Sequence, residues 1–208
     1  MEAFTSIEGL AAPLMLNNVD TDQIIPTRFL ARASEEGLNE GLFAEWRVKP
    51  DGTPNTEFIL NREPWTRAKI LVAGANFGCG SSREAAPRAL RQQGFRAIVA
   101  PSFGDIFYGN CFRCGIAPVV LPAADVEAIA SGLGDASSPG AMKVDLGNQE
   151  VTGPDGRTYR FETPKLLRRM LLEGLDEIGL TLTQSAAIEA FRAKDAARRP
   201  WAYAGRNA

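Results

Sequence analysis

The chain has 208 residues, of which 45% are hydrophobic and 23% charged, and its formal net charge at pH 7 is −2. These values are typical of a globular protein. They give no electrostatic support for nucleic-acid binding, which usually needs a basic face. No apolar run reaches the roughly 18 residues that span a bilayer, which predicts no membrane association. Three cysteines and the lack of a secretion signal predict reduced thiols and a cytoplasmic location.

The first 64 residues predict short, irregular elements. Residues 5–16 predict an opening pair of strands interrupted at Pro13, and residues 17–26 a polar turn followed by a short apolar run. Residues 27–42 predict helical pieces broken by glycine. Residues 47–64 are rich in Pro, Asn, Asp and Gly, which favours a long surface excursion.

A regular alternation of strands and helices begins near residue 69. Its strands are continuously apolar, as expected for parallel strands covered by helices on both faces, joined by right-handed crossovers. The predicted strands are residues 69–73, 97–100 and 117–121, and the predicted helices are residues 85–93 and 105–113. The pattern therefore predicts an α/β fold with a mostly parallel central sheet flanked by helices.

The last third of the chain predicts smaller elements. Asp155 and Gly156 form a hairpin signal between two short strands. Gly174 and Gly179 predict breaks, and Thr183 or Ser185 is a candidate cap for a final helix. The predicted elements are helices at 122–132 and 163–173, strands at 143–146, 150–152 and 157–161, and a final helix ending near 196. We expect one domain over residues 1–197 and a flexible tail over residues 198–208.

The most informative stretch is the Gly-rich loop between the predicted strand 69–73 and the helix at 85. Glycine lets the backbone approach a ligand closely, and a helix start offers free N–H groups to an anion. Ser81, Ser82 and Arg83 lie in this loop, so it predicts a site for an anionic small molecule. The alternative is that the hydroxyls cap the helix and Arg83 is a surface charge.

The absence of histidine restricts the chemistry of any such site. Within this chain it excludes a Ser-His-Asp triad, a Cys-His pair and an HExxH zinc site. A base must therefore be a carboxylate, Lys, Tyr, Cys or an activated Ser, unless a partner chain supplies it.

Other polar and thiol groups have two interpretations each. Cys79 is either a reactive thiol or a packing residue, and packing is favoured. Cys111 and Cys114 have the spacing of a redox pair or half a zinc site, but packing is favoured because no further ligands complete a zinc site. Asp20 and Asp22 are either an acid pair or a hydrogen-bonded turn, and spacing alone favours the turn.

Four segments resemble one family, the small subunits of 3-isopropylmalate dehydratase, which belong to the aconitase superfamily. The resemblance extends from about residue 5 to 192 and includes the loop with Ser81. The segments are NVDTDQIIP at 18–26, NFGCGSSRE at 76–84, APSFGDIFYGN at 100–110 and GLDEIGLTL at 174–182.

This resemblance implies the swivelling β/β/α fold of the fourth aconitase domain. It also implies a separate large subunit that binds a 4Fe–4S cluster through its own cysteines, so that this chain binds neither cofactor nor metal. Together the two subunits would interconvert 2-isopropylmalate and 3-isopropylmalate through isopropylmaleate, a step of leucine biosynthesis.

The resemblance also implies roles for the loop residues. Ser81 would be the base that moves the substrate proton, and Ser82 would assist it by hydrogen bonding. Arg83 would hold a substrate carboxylate, and Asn76 and Gly80 would line the substrate site.

Residues 27–34 correspond to the segment that selects the substrate in the family. Phe29 and Leu30 would contact an isopropyl group, and Arg28 or Arg32 would face a carboxylate. The alternative is that Phe29 and Leu30 belong to the core.

The chain departs from the family pattern at Ala85, where the family usually has His, and at Arg88, where it has Trp. The segment from Cys111 to Cys114 also differs from the usual asparagine-rich version. Two alternative functions therefore remain open from the sequence. One is the small subunit of a related hydro-lyase for homoaconitate or a methyl-substituted malate. The other is a non-catalytic module that binds carboxylates.

Overall fold

Seven strands form one sheet within residues 1–30 and 37–203, the parts of the chain that the computed structural model describes. Their order across the sheet is β4-β3-β2-β1-β5-β6-β7. The strands are β1 (Ser6–Leu14), β2 (Ile70–Ala73), β3 (Ala97–Ala100), β4 (Ala117–Val120), β5 (Ala141–Asp145), β6 (Glu150–Thr152) and β7 (Thr158–Arg160).

The sheet has a parallel and an antiparallel half that meet at β1. Strands β1 to β4 pair in parallel. The pairs β1–β5, β5–β6 and β6–β7 are antiparallel. Every residue of β2 and β3 is buried, which explains why these strands are apolar without alternation. By direction the sheet is mostly parallel, because β6 runs the same way as β1 to β4 and, among the described strands, only β5 and β7 run the other way. The predicted α/β fold with a mostly parallel, helix-flanked sheet is confirmed.

The prediction of a strand pair at residues 5–16 is wrong, because β1 is one continuous strand. Its pairing with β5 ends at Leu10, and Pro13 then pairs only with Val72 of β2. Beyond Leu10 one side of the strand carries no β5 ladder. The missing amide hydrogen of Pro13 is therefore tolerated there.

Helices cover both faces of the sheet. Within the described parts of the chain, no helix has both the length and the apolar composition that a bilayer span requires. The helices are α1 (Thr21–Ile24), α2 (Thr27–Leu30), α3 (Ala44–Arg47), α4 (Ala85–Gln93), α5 (Asp105–Cys114), α6 (Ala123–Gly132), α7 (Lys165–Glu173), α8 (Glu177–Leu182) and α9 (Ser185–Arg198), with 3₁₀ turns at Leu38–Gly41, Ile59–Asn61, Trp65–Arg67 and Pro200–Tyr203.

Two apolar cores result from the alternation of side chains along the strands. Leu71 of β2 and Ile98 of β3 belong to one core, which also contains the buried face of α4. Ile70 and Val99 belong to the other core, which includes residues of α6 and α7. The sheet is thus a central layer, and its loops at either end are free to carry function.

We call α8, α9 and Pro200–Tyr203 the C-terminal arm. It differs from the sequence prediction at Gly179, where a break is expected. The predicted break there is wrong, since Gly179 lies inside α8 and its amide donates to the capping carboxylate of Asp176 at 2.6 Å. That cap offsets the roughly 1 kcal/mol that glycine costs in a helix. The flexible tail over 198–208 stays a prediction, because residues 204–208 lie outside the described residues.

Candidate active site

The candidate site lies at the carboxyl ends of the parallel strands β1, β2 and β3. These ends meet at one edge of the sheet, where ligands of open α/β sheets commonly bind. The loops that follow the three strands cover residues 15–20, 74–84 and 101–104. Backbone hydrogen bonds join the loops to one another.

The loop after β1 runs beside the Gly-rich loop. The Gly78 amide donates to the Val19 carbonyl at 2.7 Å, and the Thr21 amide donates to the Cys79 carbonyl at 2.9 Å. Asp20 and Cys79 form an isolated parallel bridge between them. The two loops therefore behave as a short extension of the β1–β2 pair.

The loop after β3 holds the other side of the Gly-rich loop. The Phe77 amide donates to the Ser102 carbonyl at 3.1 Å, and the Gly104 amide donates to the Phe77 carbonyl at 3.0 Å. Asn76, predicted to line the substrate site, lies at this junction with φ +58°. Its side-chain amide donates to Asn18 Oδ1 at 2.9 Å, and its backbone amide donates to Ser102 Oγ at 2.8 Å.

Two glycines are required by the path of the loop. Gly78 has φ +74°, and a Cβ placed on it would lie 2.2 Å from the Phe107 ring. Gly80 has φ +90°, and a Cβ placed on it would lie 3.4 Å from the Cβ of Asp20. A side chain at Gly78 would separate the loop from α5, so this glycine sets the close approach.

Ser81 and Ser82 are exposed, and neither hydroxyl caps α4. The helix begins after Glu84, whose position has no side-chain capping bond. Instead, the Ser81 carbonyl accepts a hydrogen bond from the hydroxyl of buried Thr21 at 2.9 Å. The capping alternative is therefore wrong, and the two hydroxyls stay available for other chemistry.

Arg83 is held by three partners beside Ser81. Its Nη2 donates to Asp22 Oδ2 at 2.7 Å, its Nη1 to the Ile25 carbonyl at 3.1 Å and its Nε to Ser81 Oγ at 3.3 Å. Only 14% of its side chain is exposed. Arg83 is thus a fixed cation next to a hydroxyl, and the interpretation as a surface charge is wrong.

A cleft of about 220 Å³ lies in front of Ser81. The first turn of α5 forms its other wall, so the positive end of that helix faces the serine. Its lining residues are Gly78, Gly80, Ser81, Gly104, Asp105, Ile106 and Phe107. The sequence predicts that the start of α4 binds an anion. In the structure, the start of α5 lines the cleft instead.

The predicted substrate-selecting segment is only partly described. Arg28 forms an ion pair with Glu45 and lies 4.9 Å from the centre of the Phe29 ring. Phe29 and Leu30 are half-buried and pack against the apolar core around α4. Arg32 lies outside the described residues. The core interpretation of the two apolar side chains therefore has direct support from packing.

Cys111 and Cys114 have the environment of packing residues. Burial raises the pKa of the Cys111 thiol well above its usual range, and burial chiefly raises the pKa of Cys114 to about 11. Both thiols are therefore protonated at neutral pH, unlike a redox or zinc-binding pair. Among the residues that the structure describes, no three His, Cys, Asp or Glu side chains group as metal ligands.

Two of the family departures, Ala85 and Arg88, lie on the first turn of α4. Arg88 donates through Nη2 to Glu84 Oε1 at 2.8 Å, and Ala85 packs against the adjoining core. Neither substitution displaces the Thr21–Ser81 or Arg83–Asp22 contacts.

Comparisons with known proteins give the family of the chain. Residues 1–124 match the family described as the aconitase C-terminal domain, and residues 177–204 match the C-terminal domain of the 3-isopropylmalate dehydratase small subunit. The chain is 50% identical over 204 residues to a 3-isopropylmalate dehydratase small subunit of Sinorhizobium fredii, covering 97% of this chain and 100% of the relative. The values are the same for the Agrobacterium fabrum small subunit.

A solved structure shares the fold as well. The 3-isopropylmalate dehydratase structure from Methanocaldococcus jannaschii matches with a TM-score of 0.64 and 28% identity, covering 90% of this chain and 99% of that one. The sheet and the serine-bearing loop thus define a domain of the aconitase C-terminal class. The chain belongs to the family of 3-isopropylmalate dehydratase small subunits.

Proposed function

We propose that this chain is the small subunit of a 3-isopropylmalate dehydratase, a hydro-lyase of leucine biosynthesis. It interconverts 2-isopropylmalate and 3-isopropylmalate through isopropylmaleate together with a large subunit. The observation that carries the proposal is the pairing of Ser81 and Arg83 at the edge of the sheet, where an exposed hydroxyl lies 3.3 Å from a fixed guanidinium. The 50% identity over nearly the whole chain supports the substrate assignment.

Ser81 acts as the base in the dehydration. In its deprotonated form, Oγ removes a proton from the carbon next to a carboxylate, the C=C bond forms, and the hydroxyl on the neighbouring carbon leaves. Returning the proton and the hydroxyl to exchanged carbons gives the isomer. The Nε–H group of Arg83 and the amino end of α5 stabilise the negative charge on Oγ.

Arg83 and Ser82 bind the substrate in the same cleft. Arg83 has N–H groups left over after its three contacts, and these attract a carboxylate of the substrate. Ser82 is exposed next to the base and donates a hydrogen bond to the bound substrate. Gly80 lines the cleft, and Asn76 stays a predicted substrate contact. Phe29 and Leu30 pack against the core, so their part in selecting the substituent, with Arg28 or Arg32, stays a prediction.

The 4Fe–4S cluster is a property of the partner in this family. Cys111 and Cys114 do not suit a cluster, because Cys111 is buried, Cys114 is partly buried, and burial raises the pKa of both thiols. When bound by the large subunit, the cluster supplies a Lewis acid for the leaving hydroxyl. A reducing compartment such as the cytoplasm suits both the cluster and three unpaired thiols.

The proposal is tested by mixing the chain with a cluster-loaded large subunit and following isopropylmaleate absorbance. We expect activity from the wild-type pair and none from either chain alone. Ser81→Ala should lower kcat by about 10³-fold, within the range for loss of a general base. Ser131→Ala is the matched control, because this exposed hydroxyl on α6 donates only to the Glu127 carbonyl.

The outcomes separate the parts of the proposal. An inactive wild-type pair would contradict the assigned function, whereas an active Ser81→Ala pair would contradict only the assigned base. A panel with homoaconitate and methyl-substituted malates tests the substrate. Faster turnover of either compound than of isopropylmalate would favour a related hydro-lyase.

A further inference from the structure

The carboxylate of Asp22 connects Arg83 to the start of the substrate-selecting segment. Its Oδ2 accepts the 2.7 Å hydrogen bond from Arg83 Nη2, and its Oδ1 accepts a hydrogen bond from Thr27 Oγ1 at 3.2 Å. Asp22 keeps 57% of its side chain exposed, whereas Arg83 is largely covered. One carboxylate therefore bridges the site and the segment after it.

The helix that carries Asp22 is anchored on both sides. Asp20 and Gln23 form a reciprocal cap, with Asp20 Oδ1 accepting from the Gln23 amide at 2.7 Å and Gln23 Oε1 from the Asp20 amide at 2.8 Å. Between them, Thr21 binds the Ser81 carbonyl. Asp22 is therefore presented to Arg83 from a fixed backbone.

The planar guanidinium needs two fixed points to set its orientation. The Ile25 carbonyl fixes Nη1, and Asp22 fixes Nη2. With both in place, Nε faces Ser81 Oγ. If Asp22 loses its charge, one anchor weakens and the guanidinium gains freedom to turn away from the hydroxyl.

We propose that Asp22 is a positioning residue for the dehydratase reaction, an inference that rests on the function proposed above. It acts through Arg83, keeping Nε directed at Ser81, and it holds Thr27 at the same time. Asp22 does not itself contact the reacting atoms. Because half-exposed ion pairs contribute little to folding, its removal should change activity far more than thermal stability.

A double-mutant cycle on the reconstituted pair tests this role. We expect Asp22→Asn, which keeps the side-chain shape, to lower kcat/KM about tenfold in the wild-type background and less than about twofold in an Arg83→Ala background. Equal losses in the two backgrounds would contradict action through Arg83. Glu173→Gln, which removes the charge of another exposed Arg–carboxylate pair at 2.9 Å, is the matched control and should leave kcat/KM unchanged.

A second readout does not depend on activity. In the full chain alone, the Arg83 Nε–H resonance should be distinct in the wild type and should shift and broaden in Asp22→Asn. An unchanged resonance would contradict the positioning role. A wild-type pair that does not act on isopropylmalate would contradict the proposed function, whereas equal losses in an active pair would contradict the role of Asp22 alone.

Discussion

The loops of the candidate active site and the C-terminal arm are held in different ways. The loop after β2 is bonded on both sides by the loops after β1 and β3, and Arg83 within it is largely covered. In contrast, the described part of α9 buries only Asp195, and Phe191 and Trp201 are 63% and 72% exposed. Asp195 is held by Arg199 and Tyr203, which follow it closely in the chain.

This difference shows which part of the chain is fixed by contacts between residues that are distant in the sequence. Ser81 and Arg83 receive their geometry from contacts across about 60 residues of sequence, with Thr21 and Asp22. The arm has one ion pair to α5, between Glu177 and Arg113, but α9 and the residues after it are held by local contacts. An isolated helix of the length of α9 is marginal in water. The loops of the candidate site are therefore organised in the chain alone, and we expect the arm to add little to the stability of the sheet.

The largest effect on the site region is expected from Gly78→Ala. The added Cβ meets the Phe107 ring at 2.2 Å and the residue has φ +74°, so we expect a loss of roughly 3 kcal/mol in unfolding free energy. Urea unfolding measures this loss of unfolding free energy. Gly156→Ala is the matched control, since φ is +79° but nothing lies within 4 Å, and it should lose only about 1 kcal/mol. Equal losses would show that the Phe107 contact is unimportant.

A smaller effect is expected from removing the cap of α1. Asp20→Ala deletes the acceptor for the Gln23 amide and should lower the unfolding free energy by about 1 kcal/mol. Asp20→Asn keeps a good capping group and should lose much less. Thermal unfolding of the three proteins gives the comparison. A stability of Asp20→Ala equal to wild type would contradict the role of the cap in anchoring the site.

Acid should loosen the C-terminal arm. Hydrogen bonds from Arg199, aided by Tyr203, hold the pKa of Asp195 below its ordinary value. A lowered pKa stabilises the folded arm above the unfolded pKa of about 3.9, and this stabilisation is lost as pH falls through the folded pKa. Amide signals of α9 followed from pH 7 to acid should change below about pH 4. A change that is equally large in Asp195→Asn would contradict this cause.

The smallest effect on the sheet is expected from deleting the end of the arm. A chain that stops after Gln184 loses α9 and the residues beyond it, and the described part of that segment buries only Asp195. Its unfolding free energy should therefore stay within about 0.5 kcal/mol of wild type. Denaturant unfolding followed by the near-ultraviolet signal of Trp65, which is buried near the sheet, gives the measurement. A loss of several kcal/mol would show that the arm supports the sheet.

Local signals explain what the sequence predicts well. The stretch from β2 to β4 has continuous apolar strands, and its helices α4 and α5 end at Gly94 and Gly115, both in the left-handed conformation. The sequence therefore predicts these element types correctly, with ends within one residue. Ser81, Ser82 and Arg83 are adjacent in sequence, which makes the loop recognisable as a candidate site.

Contacts between distant residues explain what the sequence does not reveal. Spacing alone favours a polar turn for Asp22, but its carboxylate pairs with Arg83, 61 residues away. The position of β1 between a parallel and an antiparallel neighbour also depends on non-local pairing. The wrong break at Gly179 has a different cause, because the cap from Asp176 lies only three residues away and the helix propensity of glycine alone does not include it.

The central claim is that Ser81 carries the substrate proton. It is tested most directly by incubating 3-isopropylmalate with the reconstituted pair in D₂O. The measured quantity is the deuterium at the carbon that bears the isopropyl group, from which the proton is removed. We predict exchange with the wild-type pair and with the Ser131→Ala control, and a rate at least about 10²-fold lower with Ser81→Ala. Exchange by Ser81→Ala at the wild-type rate would contradict the account.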